Sequence, residues 1–174
     1  MYLSGPMQRF VLHWGEMGAR WGVNRSIAQI HALLYLAETP LLAEDIAETL
    51  QIARSNVSNS LKELQALGLV TREQVMGDRR DLFTATHEPW GMLLAIADAR
   101  KQREIDPTVS VLRECSAHAQ DDPNTPREVA ERLKRMEDFV LDLTSWYGQM
   151  RTLPQSTLIT LMKLGNRIAK FVGG

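Results

Sequence analysis

The chain has 174 residues, of which 44% are hydrophobic, so it is long enough for one domain or two small interlocked domains with a proper core. Its 20 lysines and arginines against 21 acidic residues give a net charge of −1, which excludes a generally basic surface. No apolar run reaches the roughly 18 residues of a membrane span, no export signal is recognisable, and a single cysteine excludes an intrachain disulfide framework. We expect a cytoplasmic protein.

The first two predicted elements are amphipathic helices. One runs from Pro6 to about Arg20, and its large apolar residues recur at spacings of three and four: Phe10, Trp14, Met17 and Trp21. The other runs from Asn24, a suitable N-cap, to about Glu38, with an inward face of Ile27, Ile30, Leu33 and Leu34. Thr39-Pro40 then breaks the chain.

A helix-turn-helix is predicted next. A short helix presents Ile46, Ala47 and Leu50, and residues 51–53 are too few for anything but a turn. The following helix, 53–68, has a stripe of helical period that ends at a glycine suited to a positive φ: Val57, Leu61, Leu64 and Leu67, then Gly68. Two helices joined by about three residues must cross steeply, as in a helix-turn-helix.

The opposite face of this helix is polar in an unusual way. It carries Arg54, Ser55, Asn56, Ser58, Asn59 and Lys62. Serine and asparagine weaken a helix, because they compete for backbone hydrogen bonds, but they can bond to base edges in the major groove. Arginine and lysine can bind guanine or phosphate. The pattern predicts a DNA recognition helix, and the alternative is a polar face without a partner.

A β-hairpin is predicted after the recognition helix. Residues 69–75 and 81–86 are β-rich, and the turn between them contains Gly77 and Asp78. Arg79 and Arg80 would contact a minor groove or phosphates, with Asp78 orienting one of them, and Arg72 is a weaker phosphate candidate. The alternative is an ordinary charged hairpin. Residues 51–80 carry five basic and three acidic side chains, so the local positive excess is small.

These residues carry a resemblance. The run "DIAETLQIARSNVSNSLKELQALGLVTREQVMGDRRDLF" resembles the DNA-binding core of MarR-type winged-helix regulators, and "KQREIDPTVSVLREC" and "RTLPQSTLITLMKLG" resemble the GbsR branch. The resemblance implies a homodimeric transcriptional regulator, several of whose relatives control transport or synthesis of compatible solutes. Leu42 and Ala53 stand where the family commonly has Ser or Thr, and Gln51 stands where it has Gly. A lost cap costs about 0.5 to 2 kcal/mol, and Gln at positive φ costs about 1 kcal/mol.

The remainder of the chain is predicted to be helical. Four prolines are expected in first helical turns: Pro89, Pro107, Pro126 and Pro154. Asp106 and Thr125 are predicted caps, and residues 125–128 read as a capping box. Long apolar stripes follow, one through Val129, Leu133, Met136, Phe139, Val140, Leu143, Trp146 and Tyr147, the next through Leu158, Leu161, Met162, Leu164, Ile168 and Phe171. Such surplus apolar surface predicts a homodimer interface, and the alternative is a monomeric helical domain.

The predicted organisation has three segments. Residues 1–23 contribute a helix to the dimerisation region, 24–88 form the winged helix-turn-helix, and 89–174 form a helical dimerisation and effector domain. Five aromatic residues could cage a quaternary ammonium effector by cation–π attraction: Trp14, Trp21, Trp90, Trp146 and Tyr147. Aromatic residues at helical spacing are more often simply core.

No enzymatic chemistry is predicted. His13 with Glu16 and Cys115 with His118 have metal-compatible spacing, but neither has an evident second pair, so no metal and no cofactor are expected. Cys115 falls on the stripe Val109, Leu112, Cys115, Ala119 and is expected to be a buried thiol. We predict a repressor that binds double-stranded DNA as a homodimer on a roughly palindromic operator. The alternative is a winged-helix protein-interaction module without sequence-specific DNA binding.

Overall fold

The computed structural model describes residues 1–74, 76–77 and 79–172, and for residues 165–172 it describes the backbone course only. The chain divides into two compact units, the first being Met1–Ile96 and the second beginning at Ala97. The predicted fold class is confirmed, since the chain is mainly α-helical with a small antiparallel sheet. No helix in the described ranges is long and apolar enough to span a membrane.

The first unit contains four complete helices, a small sheet and most of a fifth helix. The helices are α1 (Gly5–Arg20), α2 (Arg25–Leu36), α3 (Ala43–Leu50), α4 (Arg54–Ala66) and α5 (Pro89–Arg100). The strands are β1 (Leu41–Leu42), β2 (Val70–Gln74) and β3 (Asp81–Ala85), in the order β1-β3-β2, with antiparallel pairing throughout. Phe83 faces Arg72 on one side and Leu41 on the other. The two-residue strand β1 was not predicted, because so short a strand exists only through its pairing with β3.

The core of this unit is built around α2. Ile30, Leu33 and Leu34 are fully buried against Ile46 of α3, the α4 stripe and Phe83 of β3. The predicted stripe is confirmed: Val57, Leu61 and Leu64 are buried and Leu67 is half-buried. On the other side α1 lies so close to α2 that a Cβ at Gly18 would come within 2.6 Å of the Ala28 Cβ. The expected contribution of residues 1–23 to dimerisation stays a prediction.

The helix ends have the residues that the sequence analysis found to differ from the usual family pattern. Asn24 caps α2, accepting a hydrogen bond from the Ser26 amide at 2.8 Å. The N-caps of α3 and α4 are Leu42 and Ala53, neither of which can offer a capping oxygen. Gln51 has φ 54°, the only positive φ of a non-glycine residue in the described part of the chain. Gly68 has φ 68° and ends α4 as predicted.

The second unit is helical. The end of α5 runs through a π-helical segment (Lys101–Ile105) into α6 (Asp106–Asp121), and α7 (Arg127–Thr152) and α8 (Gln155–Val172) follow. The predicted cap at Asp106 is wrong, because the π-helical turn carries the helix on without a break. The predicted capping box is also wrong: the N-cap of α7 is Pro126, and the Thr125 hydroxyl donates to Asp122 Oδ2 at 2.7 Å instead.

The stripe predicted on α6 also departs from expectation. Cys115 is exposed, so its prediction as a buried thiol is wrong; the buried face of α6 carries Ser116 and Ala119, one position around the helix. On α8 only Leu158 of the predicted stripe is buried, while Ile168 and Phe171 lie outside the described side chains. Five large apolar side chains of α7 are exposed: Val129, Met136, Phe139, Leu143 and Trp146.

Candidate nucleic-acid interface

An open cleft of about 290 Å³ lies between α4 and the wing, by which we mean β2, β3 and the turn that joins them. All five basic side chains of residues 51–80 line this α4–wing cleft: Arg54, Lys62, Arg72, Arg79 and Arg80. They come from a helix and a hairpin separated in sequence, and the fold brings them to one place. The cleft therefore concentrates positive charge on a chain whose net charge is −1.

The polar face of α4 is displayed to solvent beside this cleft. Ser55, Ser58, Asn59 and Lys62 are all exposed, and Ser58 and Lys62 also line the cleft. The buried stripe on the opposite side of the helix fixes this orientation, because Val57, Leu61 and Leu64 are held in the core. The face thus offers hydroxyl, amide and ammonium groups at the spacing of successive helical turns.

Arg54 lines the cleft and is ion-paired within the protein. Its Nη2 lies 2.7 Å from Glu44 Oε1 of α3, and both side chains remain largely exposed. Glu44 lines the cleft, although the sequence analysis did not place it among the candidate site residues. The charge pattern gave a partial signal, since Glu44 begins an acidic run just before the turn, but only the crossing of α3 and α4 identifies Arg54 as its partner.

Asn56 is turned inward. Its Nδ2 donates to Ser26 Oγ of α2 at 2.9 Å, and its Oδ1 accepts from the Ser60 hydroxyl at 3.3 Å. The side chain is half-buried and both ends of the amide are engaged within the protein. Asn56 is thus separated from the exposed members of the predicted set.

The wing carries a second ion pair. Arg72 Nε lies 2.8 Å from Asp81 Oδ1 across the β2–β3 pairing, so one cleft cation is partly neutralised by an acidic neighbour. Arg79 and Arg80 are exposed at the turn, next to the fully exposed Met76. Asp78, predicted to orient one of these arginines, lies outside the described residues.

The five predicted cage aromatics are distributed over both units. In the first unit Trp14 stacks on Phe10 with ring centroids 5.3 Å apart, Trp21 ends α1 in an exposed position, and Trp90 is half-buried at the start of α5. In the second unit Trp146 is exposed, whereas the adjacent Tyr147 turns inward and donates to Asp98 Oδ1 at 2.8 Å. Successive residues on a helix point about 100° apart, so Trp146 and Tyr147 face different surroundings.

Trp14 belongs to an aromatic cluster that the sequence did not predict. The distances between ring centroids are 6.4 Å from Tyr35 to Phe10, 6.5 Å from His31 to Trp14 and 5.6 Å from His87 to Tyr35. His31 is buried in α2 with Nε2 unpaired, and burial lowers its pKa to about 4 because the charged imidazolium would lose its hydration. At neutral pH this histidine is uncharged and acts as part of the core.

Asp98 joins α5 to α7 within the second unit. It accepts from the Tyr147 hydroxyl and, at 3.0 Å, from Arg151 Nε. Burial alone would raise the pKa of Asp98, but the two hydrogen bonds and the charges of Arg151 and Lys101 outweigh burial and hold it below the usual value. Burial and the nearby carboxylate raise the pKa of Tyr147. The hydrogen bonds of Asp98 to Tyr147 and Arg151 thus connect α5 to α7.

Comparisons with known proteins agree with this arrangement. Residues 21–81 match the sequence model of the MarR family. The HTH-type transcriptional repressor GbsR of Bacillus subtilis (strain 168) is 20% identical over 139 residues, covering 78% of this chain and 77% of GbsR. A crystal structure of a transcriptional regulator has 21% identity and a TM-score of 0.54, covering 83% of this chain and 99% of that one. The S. aureus MepR–DNA complex is 20% identical over 83% of this chain and 99% of its own, with a TM-score of only 0.39.

The fold and the family match define a winged helix-turn-helix protein. More particularly, residues 21–81 resemble the MarR family, and the chain is similar to the HTH-type transcriptional repressor GbsR.

Proposed function

We propose that this protein is a repressor that binds double-stranded operator DNA as a homodimer, with α4 in the major groove and the wing against the adjacent backbone or minor groove. The convergence of five basic side chains on the α4–wing cleft, beside the exposed hydroxyl and amide groups of α4, is the observation that carries the proposal. Such a surface combines phosphate attraction with groups able to read base edges.

The exposed residues divide by their chemistry. Ser55, Ser58 and Asn59 read base edges, because their short side chains donate and accept hydrogen bonds. Lys62 and Arg54 contact guanine or phosphate, Arg79 and Arg80 contact the minor groove or backbone, and Arg72 contributes charge. The inward-facing Asn56 is left out of the base-reading group.

The exposed apolar face of α7 supports the proposed homodimer. Met136, Phe139, Leu143 and Trp146 are spaced by three, four and three residues, and each is about half exposed or more. That spacing places them on one stripe, as in a helix that packs against a partner helix. A second copy of the chain is the economical partner, because a single head carries an excess of only two positive charges in residues 51–80.

A dimer places two recognition helices about 34 Å apart, matched to successive major grooves of a roughly palindromic operator. Repression results when the dimer covers a promoter. Repression rather than activation is supported by the similar B. subtilis protein, which is named a transcriptional repressor. The same resemblance suggests compatible-solute genes as targets. A quaternary ammonium solute that binds one or more of the tryptophans relieves repression by changing the separation of the two heads.

DNA binding is tested by titrating the duplex upstream of the protein's own gene, and a scrambled duplex of equal length, at several salt concentrations. We expect preference for the native duplex and an affinity that falls steeply with salt, since phosphate contacts release counterions. Equal, weak affinity for both duplexes with a shallow salt slope would instead favour a protein-interaction module. Tryptophan fluorescence titrated with tetramethylammonium tests the effector, and a flat response up to high concentration would remove that part of the proposal.

A further inference from the structure

The first turn of α4 lacks the usual means of anchoring a helix start. Its N-cap is Ala53, which has no side-chain oxygen, and the preceding turn holds Gln51 in the left-handed conformation. Both features weaken the connection between α3 and α4. A recognition helix needs a defined angle to the rest of its domain, because a small rotation displaces every base-reading side chain along it.

Two side chains tie this turn to the neighbouring helices. Arg54 reaches Glu44 of α3 at the surface, where solvent screens the attraction. Asn56 reaches Ser26 of α2 from a half-buried position, where a hydrogen bond is less exposed to competing water. Of the two, the Asn56–Ser26 hydrogen bond is the better placed to hold the turn.

The Asn56 amide is the centre of a four-residue hydrogen-bond chain. Asn24 Oδ1 accepts from the Ser26 amide, Ser26 Oγ accepts from Asn56 Nδ2, and Asn56 Oδ1 accepts from the hydroxyl of the buried Ser60. The chain thus runs from the N-cap of α2 to the second turn of α4. It fixes the direction of the Asn56 side chain at both the amide nitrogen and the amide oxygen.

We infer that Asn56 is a positioning residue, which anchors the uncapped first turn of α4 to α2 by donating to Ser26 and so sets the angle at which the exposed residues of α4 meet DNA. This inference rests on the proposed function for its consequence in DNA binding, but the tie itself is a property of the free protein. Asn56 and Ser26 act as a unit, whereas Ser58 and Asn59 act on bases directly.

The tie is tested first without DNA, by amide hydrogen exchange across α4 in the full chain. We expect Asn56→Ala and Ser26→Ala each to speed exchange of the amides of residues 57–60 by roughly two- to tenfold, the range of a single hydrogen bond. Ser26→Thr keeps the hydroxyl and should restore slow exchange, and Ser110→Ala, in the second unit, is the matched control. Unchanged exchange in Ser26→Ala would overturn the inference even if DNA binding is intact.

The consequence is tested by affinity for the native duplex and for duplexes changed at single base pairs, well below the unfolding temperature. We expect both alanine variants to lose roughly two- to tenfold on every duplex, with the base preference kept and the double variant no weaker than either single one. A change of preference at one base pair in Asn56→Ala alone would show that Asn56 reads a base. A lowered unfolding temperature with unchanged DNA affinity in the variants would show a merely structural role for Asn56. If the unsubstituted protein bound none of the duplexes, the proposed function would be overturned, and the hydrogen-exchange result alone would decide whether the Asn56–Ser26 tie exists.

Discussion

Arg54 Nη2 lies 2.7 Å from Glu44 Oε1, so the first residue of the recognition helix is ion-paired to the preceding helix of the same motif. The pair sits in the α4–wing cleft, where a second acidic residue, Asp81, pairs with Arg72. Within the described residues, at least two of the five cleft cations, Arg54 and Arg72, are thus paired with an acidic side chain.

The first prediction concerns Glu44. Glu44→Gln removes a negative charge from the cleft and releases Arg54, so affinity for any duplex should rise by up to about fivefold at low salt, the range of an exposed ion pair. Salt-dependent anisotropy titration measures the change, and the slope of affinity against salt should steepen by about one ion. Glu48→Gln, also exposed on α3 but outside the cleft, is the control. Equal gains in the two variants would mean that only net charge matters.

Asn59 and Arg79 separate base reading from backbone contact. Asn59→Ala should reduce discrimination at one base pair by about 1 to 3 kcal/mol and leave other positions unchanged. Arg79→Ala should weaken binding evenly across sequences and lower the salt slope by about one. Affinities for a set of single-substitution duplexes supply the measurement. An even loss for Asn59→Ala would remove that residue from the base-reading group.

His31 should make the first unit sensitive to acid. Its pKa in the folded protein is about 4, below the ordinary 6.5, so the unfolded chain takes up the proton first as pH falls. The contribution of neutral His31 to the free energy of unfolding is therefore fully present above about pH 6.5. It is lost progressively between pH 6.5 and 4, and the total loss is at most about 3 kcal/mol. Denaturant unfolding at several pH values measures the loss. His31→Leu should flatten this dependence and exposed His13→Gln should not; an unaltered profile in His31→Leu would contradict the assignment.

The exposed stripe of α7 gives a prediction on assembly. Leu143→Glu should raise the dimer dissociation constant at least roughly tenfold, because each copy loses a buried apolar side chain worth about 1.5 kcal/mol or more. Sedimentation equilibrium follows the change, and operator affinity should fall in parallel. Ser145→Glu adds the same charge about 200° around the helix and should leave assembly unaltered. A monomeric parent protein, or equal effects of both variants, would contradict a dimer through this stripe.

Local periodicity predicted much of the fold. The α4 stripe, the φ of Gly68, the cap at Asn24 and the β2–β3 hairpin are set by neighbouring residues, and all are present. The N-caps expected at Asp106 and Thr125 are absent, because the local sequence is equally compatible with other structures at both places. A π-helical turn continues the chain at one, and Asp122 takes the hydroxyl at the other.

Local sequence patterns do not predict the direction of individual polar side chains. Asn56 and Asn59 are three residues apart on one helix and look alike in sequence, yet Asn56 bonds to α2 and Asn59 is exposed. Cys115 and Ser116 differ by one position, and a stripe of weak apolar residues did not decide which of them faces α7. Such choices depend on where a second helix lies.

Helical period, turn length and glycine placement are encoded within short windows, so the amino-acid sequence alone predicts a winged helix-turn-helix with a donor-rich second helix. Which polar side chains of that helix are exposed depends on how the helices pack against one another. The crossing of α3 on α4 brings Glu44 to Arg54, and the packing of α2 on α4 brings Ser26 to Asn56. Contacts between residues 10 and 30 positions apart follow from the packing of a shared core, which no local pattern specifies.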